Sequence, residues 1–452
     1  MSNFPYIDLE FKLVEQLYGK MRILQPQEER EEVVQKGLSI VLENEEFSEF
    51  KNTFDDTEKR RAFIQSFLSY DVLTELLCNN KVEDIIINNL KPIYIHHNQK
   101  GFISTEKSFS SQKKLDLFIK KILMFVGRKE LTRITNLELP NLEGRVNIAL
   151  SSFGPQLTIT KAKVSPISII ELIRAKSMTH EIAAQLWIYL EGLSIRPANM
   201  MIAGGPGVGK TTLLNALFSF IPEKDRMVVI EDTLELNTFL NESCSRLESD
   251  EEVSLADWVK NSLRMRPERI IIGEVRGAEA RDMITACNVG KYCIGTIHAL
   301  TSREAIVRLQ NEPMNVPKTL VSLIDVFIAL KRYHADGKVF RVIDEISETS
   351  GMEQEKILLG QICKYDHETK QLKNVNPSIT YRERLAKQAG ILSKDIIQEH
   401  KFRTKILEEL DQRNMITLKE VTEICQAYSE NPDDTAKVLG LGRQEFLENT
   451  EL

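Results

Sequence analysis

Short apolar runs recur through the middle of the chain, each bounded by glycine, proline or charge, with helically spaced segments between them. Met200 to Ala203, Met227 to Ile230, Ile270 to Ile272, Ile294 to Ile297 and Val326 to Leu330 read as buried strands. Strands alternating with helices predict a mostly parallel α/β core. A hairpin around Ala335-Asp336-Gly337-Lys338 then leads to a strand over Val339 to Ile346. Upstream, Val82 to Asn88, Ile93 to His96, Val146 to Leu150 and Leu157 to Thr160 predict further strands, and Asp71 to Cys78 a short helix. Ser110 or Ser111 is placed to cap a helix carrying Leu115, Phe118, Ile119, Ile122, Leu123 and Phe125. Together these form a small α+β domain. Before about residue 70 the chain is polar, with helical spacing in places, and Glu28-Glu29-Arg30-Glu31-Glu32 reads as a solvated helix face. Beyond about Pro377 it turns helical and charged, with Ile406, Leu407, Leu410, Ile416, Val421 and Ile424 for an apolar face. The expected division is 1–70 helical, 71–163 α+β, 164–376 α/β and 377–452 helical, with the crossing near Lys163 to Pro166.

At 452 residues the chain can bury more than one core. Its 59 Lys and Arg against 66 Asp and Glu give −7, which argues against nucleic acid as a partner. The six cysteines form no C-x-x-C pair, so reduced thiols, no zinc site and a cytoplasmic location are expected. No apolar run approaches the ~20 residues of a membrane span, and no signal pattern opens the chain, so membrane association is expected only through a partner.

One stretch changes the picture. After Met200 to Ala203 come glycines at 204, 205, 207 and 209, then Lys210-Thr211-Thr212 and a helical pattern that stops before Pro222. Gly204, Gly209, Lys210 and Thr211 match G-x-x-x-x-G-K-[ST], the P-loop. Glycines let backbone amides converge, and a helix N-terminus favours phosphate oxygens. The expected nucleotide contacts are Gly205, Pro206, Gly207, Val208, Gly209, Lys210, Thr211 and Thr212, with Lys210 on the β/γ-phosphates and the Thr211 hydroxyl on Mg²⁺.

In α/β sheets ligands sit beyond the carboxyl ends of the strands. Glu231, Asp232 and Glu235 follow one strand, Glu274 and Arg276 a second, and His298 a third. Glu274 is the candidate to activate water, because an acid after an apolar strand is the Walker-B arrangement. Glu231 and Asp232 are candidates, with Glu274, to hold Mg²⁺ or its water shell, and His298 to sense the γ-phosphate. Arg276 and Arg303 are candidates to neutralise phosphate charge, with surface pairing as the rival reading.

At these residues the chain resembles the type II/type IV secretion ATPases. Gly204 to Thr212, Ile230 to Glu235, Ile272 to Gly277 and Thr296-Ile297-His298-Ala299 are similar to that family's Walker A, Asp box, Walker B and His box. Arg308 to Pro317 is similar to the archaeal branch, which serves archaeal pili and archaella. The likeness is dense over about 199–330 and thinner over about 70–165, where Gly144-Arg145-Val146-Asn147 stands. It implies a RecA-like P-loop NTPase core with a smaller α+β N-terminal domain and a helical C-terminal extension. It also implies a homohexameric ring that binds ATP and Mg²⁺ between its two domains, an arginine at Arg145 completing the site, and a membrane platform protein as partner. Two positions depart from the family: Lys291 stands where histidine is usual after Gly290, and Lys161 where arginine is usual. The expected function is an ATPase powering a type IV pilus-like filament. The rivals are an ATPase for secretion or DNA transfer and a slow nucleotide-sensing regulator.

Overall fold

The computed structural model describes residues 6–22, 25–97, 100–139, 144–161, 166–232, 235–237, 243–250, 252–335, 338–354 and 356–449. The chain divides into two compact units, Met1–Val164 and Ser165–Leu452. The expected crossing residues 163–165 lie outside the described residues.

The first unit holds an antiparallel sheet of β1 (Val82–Asn88), β2 (Tyr94–His97), β3 (Gly101–Ser104), β4 (Ile134–Leu139), β5 (Gly144–Ser151) and β6 (Gly154–Lys161), in the order β3-β2-β1-β6-β5-β4. Helix Gln112–Phe125, capped by Ser111 through Lys114 N at 3.3 Å, covers it. That helix is apolar on two sides. Leu115, Phe118, Ile119, Ile122 and Leu123 pack on the sheet. Leu117, Met124 and Phe125 pack on helices Ile7–Leu17, Gln27–Leu42 and Thr57–Leu68. The acidic run at 28–32 is therefore not wholly solvated. Arg30 points inward, buried, and donates to the carbonyls of Gln25 (3.0 Å) and Arg22 (2.7 Å), because the helix face it shares with Val34 and Leu38 is the packed one.

The second unit is built on a sheet of β7 (Met200–Ala203), β8 (Met227–Glu231), β9 (Ser245–Glu248), β10 (Arg269–Val275), β11 (Tyr292–Ile297), β12 (Val326–Ala335), β13 (Lys338–Glu353), β14 (Lys356–Asp366) and β15 (Gln371–Asn374). Its order is β15-β14-β13-β12-β7-β11-β10-β8-β9. From β12 to β9 neighbouring strands are parallel; from β12 to β15 they form an antiparallel meander. Successive strand residues face opposite layers. Met200, Ile202, Val229, Ile271 and Ile294 join one core, and Met201, Ala203, Val228, Ile270 and Ile272 the other. The first core runs on into the C-terminal helices through Phe402, Ile406, Leu407, Leu410 and Val421. The second unit is a RecA-like core with a helical extension, and the first is a smaller α+β domain. The turn residues 336–337 of the expected hairpin lie outside the described residues; its flanks, Ala335 and Lys338, are register partners.

Candidate active site

The parallel strands end in register, and that register builds the site. Ala203 pairs with Ile297 on one side and with Ala329 on the other, and Ile297 pairs with Val275. Gly204 and His298, which follow β7 and β11, and Glu274, next to last on β10, therefore come together at one sheet edge. Between the pairs Ile272–Gly295 and Val275–Ile297, two residues of β10, Gly273 and Glu274, oppose Thr296 alone on β11. This bulge at Gly273-Glu274 re-aims the acid, the usual use of a bulge beside a site.

Between β7 and helix Lys210–Leu217 the loop closes tightly. Gly209 holds φ +101°, a conformation that L side chains rarely adopt. A Cβ on Gly204 would stand 2.5 Å from Val208 Cγ2, so the loop folds over a buried valine. Val208 thus turns its side chain into the core and leaves its backbone at the loop. The first amides of the helix have no acceptor within it. Lys210 Nζ donates to the carbonyls of Gly204 (3.0 Å) and Gly205 (3.1 Å) and lies 3.5 Å from His298 Nε2. Burial pushes the Lys210 ammonium below its ordinary range, against the opposing pull of Glu274 and Glu235.

Glu274 and His298 form a pair. His298 Nε2 is 3.1 Å from Glu274 Oε1, and the two side chains are 30% and 26% exposed, open enough to reach a ligand. Burial, then Lys210, lowers the imidazole pKa, with Glu274 opposing, which favours the neutral ring. Arg276 pairs with Asp232 and lies 3.8 Å from Glu274 Oε1 through Nε. Arg308 Nη1 donates to the His298 carbonyl at 2.6 Å.

Two expected positions, Glu231 and Arg303, read differently in the structure. Glu231 is only 2% exposed. Its Oε1 accepts from the amides of Glu235 (3.0 Å) and Leu236 (3.1 Å), and burial raises its carboxyl to about 7. It anchors the chain after β8 and does not project to the ligand edge as a metal ligand or base would. Glu235 takes the exposed place instead, its Oε2 accepting from Thr211 Oγ1 at 3.2 Å. Its own signal was present in the sequence, an acid in the box after β8, but nothing there separated it from Glu231. Arg303 Nη1 donates to the Ile357 carbonyl at 2.8 Å, a structural bond. Lys291 precedes β11 whereas His298 follows it. At ~3.3 Å per strand residue the two stand about 20 Å apart, at opposite edges of the sheet.

Asp232 is half-exposed beside this cluster. Thr212 follows Thr211 on the first turn of the helix, and Gly205, Pro206 and Gly207 form the outer loop. Arg145 belongs to the first unit, exposed on β5 opposite Thr160. Lys161 is tied within that unit, its Nζ donating to the Asn79 carbonyl at 2.8 Å. Arg341, which carries no sequence motif, donates through Nε to the Gly207 carbonyl at 2.9 Å.

Chemically, the edge offers amides and an ammonium for anionic oxygens, hydroxyl and carboxylate oxygens suited to a hard divalent cation, and an acid–imidazole pair able to take a proton. A profile of the family described as type II/IV secretion system protein matches residues 132–348, from β4 through the P-loop to β13. The protein MJ1287 of Methanocaldococcus jannaschii is 33% identical over 264 residues, which span 57% of this chain and 96% of that protein. The chain belongs to the type II/IV secretion system protein family. MJ0900 of the same organism is 31% identical over 366 residues, 77% of this chain and 65% of that protein, so the chain spans just under two thirds of that relative. The conjugal transfer protein TrbB of Rhizobium radiobacter is 31% identical over 199 residues, 42% of this chain and 60% of its own length. In this family member no helix among the described residues is long and apolar enough to cross a membrane.

Proposed function

We propose that the chain is an ATP hydrolase that acts as a homohexameric ring and powers assembly of an archaeal type IV pilus-like filament through a membrane platform protein. The observation that carries the ATPase reading is the convergence of Lys210, at the start of the helix after β7, with Glu274 and His298 at the ends of the neighbouring strands β10 and β11. Family membership supports the secretion or pilus setting, and the two Methanocaldococcus relatives support the archaeal one.

On this reading Lys210 exchanges its two carbonyl acceptors for β/γ-phosphate oxygens. Glu274 takes the proton of the attacking water, and His298 holds Glu274 in place and reads the γ-phosphate. Mg²⁺, when bound, supplies positive charge to the phosphate oxygens; Thr211, Glu235, Asp232 and Glu274 are the residues that would hold it or its water shell. Glu231 holds the segment that presents Glu235. Arg145 would complete the site from the first unit, and the filament machinery places the ring on the cytoplasmic side of the membrane.

The test compares Lys210→Ala with Glu274→Gln. ATP at ~100 times its Kd should stabilise the wild type by about 2.7 kcal/mol. Lys210→Ala should lose that stabilisation. Glu274→Gln should keep it while turnover falls by roughly 10²–10⁴. Equal ATP-induced shifts and equal turnover in all three proteins would sink the assignment. The likeness to TrbB favours a second reading of the cargo, conjugal transfer. A pull-down from membranes decides: a platform protein and pilin-like subunits support the filament, a conjugation channel the rival.

A further inference from the structure

The P-loop has a second wall. On one side of β7 lie β11 and β10 with His298 and Glu274; on the other lies the β12–β13 hairpin. β7 stops at Ala203, opposite Ala329, and β12 runs on beyond it to Ala335. At that point the hairpin carries a bulge: Ala329 pairs with Glu345 but Leu330 with Ile343, leaving Asp344 as the extra residue. A bulge bends and twists the strand that carries it. The outer hairpin thereby passes alongside the loop, close enough that a Cβ on Gly204 would lie 3.3 Å from the Leu330 carbonyl.

Two residues along, on the same face as Leu330 and Ile343, Arg332 and Arg341 are direct cross-strand partners. Both reach the phosphate loop. Arg341 Nε donates to the Gly207 carbonyl at 2.9 Å, and its Cδ stands 3.7 Å from where a Cβ on Gly209 would sit. Arg332 Nη1 stands 3.7 Å from the corresponding point on Gly207. Among the described residues neither guanidinium forms an ion pair with a carboxylate. Like charges directly opposite on a sheet repel. Two exposed guanidiniums side by side against the phosphate loop, neither paired with a carboxylate among the described residues, form a site whose missing charge is negative.

We propose that Arg332 and Arg341 clamp the diphosphate of a bound nucleotide from the hairpin side, an inference that rests on the nucleotide-binding reading above. The loop residues they flank, Gly207 and Gly209, precede Lys210, which is assigned to the β/γ end. The clamp therefore holds the phosphates shared by ADP and ATP, while Glu274 and His298 respond to the γ-phosphate on the opposite wall.

The experiment measures Kd for ATP, ADP and adenosine, with pyrophosphate as competitor, on the full chain and on Arg332→Ala, Arg341→Ala, Arg332→Lys and Lys210→Ala. Charge-assisted hydrogen bonds of this kind are each worth about tenfold or more in affinity. Each arginine-to-alanine variant should bind ATP and ADP about tenfold more weakly, with pyrophosphate competing less well. Arg332→Lys should recover part of the loss. Wild-type Kd values in both alanine variants overturn the clamp, as does a loss confined to adenosine, which would place the guanidiniums on the base. Weaker apo thermal stability in Arg341→Ala with an unchanged Kd overturns it too, since Arg341 would then only brace Gly207. If the wild type binds no nucleotide and matches Lys210→Ala, the underlying reading fails and the clamp falls with it; if Lys210→Ala alone loses binding, only the clamp fails.

Discussion

Histidine and lysine around β11 show how much one position along a strand decides. His298 leaves the strand at the edge where Gly204 and Glu274 emerge, and its ring is 3.1 Å from a carboxylate and 3.5 Å from an ammonium. Lys291 enters the same strand at the other edge, where its backbone amide donates to the Ala286 carbonyl at 3.1 Å. This departure from the family pattern, Lys291, thus lies far from the chemistry. Lysine there keeps its ammonium in water at no cost to the site. His298→Ala should lower turnover by about 10²–10³, the range for losing one preorganised donor, whereas Lys291→Ala should stay within a few-fold of wild type. Steady-state ATPase assays on folded, nucleotide-binding variants check this. A large loss in Lys291→Ala beside a mild one in His298→Ala would reverse the order argued from the strand.

Among the elements, helix Ser393–Gln412 is attached through a buried charge network that a single change disrupts. Arg403 on this helix is 2% exposed. It pairs with Glu191 at the end of helix His180–Glu191 and with Glu399 at 2.8 Å, and its guanidinium lies 4.7 Å from the Trp187 ring centre. Glu399 also meets Arg443 at 3.0 Å and accepts from the Tyr428 hydroxyl at 2.9 Å. Removing one member of a buried charged network strands the others, at a typical cost of about 3–5 kcal/mol. Arg403→Ala should therefore lower stability by that order, read in urea or thermal melts, and should loosen the C-terminal helices before the sheet. Stability within about 1 kcal/mol of wild type would show the network to be dispensable. The pH dependence follows from Glu399. Burial pushes its carboxyl up, but Arg403 and Arg443 outweigh burial and hold it below its ordinary range. A depressed folded value means the contribution is complete above the unfolded pKa of about 4.3 and is lost as pH falls from there through the folded value. Glu399→Gln should flatten the acid side of the stability profile.

For the molecule as a whole, the proposed cycle needs both units and more than one copy. Arg145 stands on β5 of the first unit, exposed, on a strand held between β4 and β6. An arginine supplied to a phosphoryl-transfer site is worth roughly 10³–10⁵ in rate. Arg145→Ala should reduce turnover by at least about 10³ and leave ADP binding intact. Light scattering should show higher oligomers that ATP promotes, because a ligand held at an interface favours the assembled form. Unchanged turnover in Arg145→Ala would remove the arginine from the site, and a monomer at every concentration and nucleotide state would remove the ring.

Local pattern alone determined a good part of this. The strand–glycine loop–helix run at 200–217 needs only contiguous residues, since apolar continuity makes a buried strand and glycine alone takes the turn at Gly209. The strands bearing Glu274 and His298 were legible for the same reason. Strands β3, β4, β9 and β15 lacked that signal, being short or partly exposed edge elements whose pairing comes from the neighbouring strand and not from their own apolar content. Tertiary structure decided which acids face the site. Glu231 and Glu235 are both acids in one box, and only the packing against the amides of Glu235 and Leu236 turned Glu231 inward. It also decided the bulge that aims Glu274, the two-sided burial of helix Gln112–Phe125 and the approach of Arg332 and Arg341 to the loop. Each of these depends on register between strands or on contact between distant segments, and the periodicity of one segment carries no record of either.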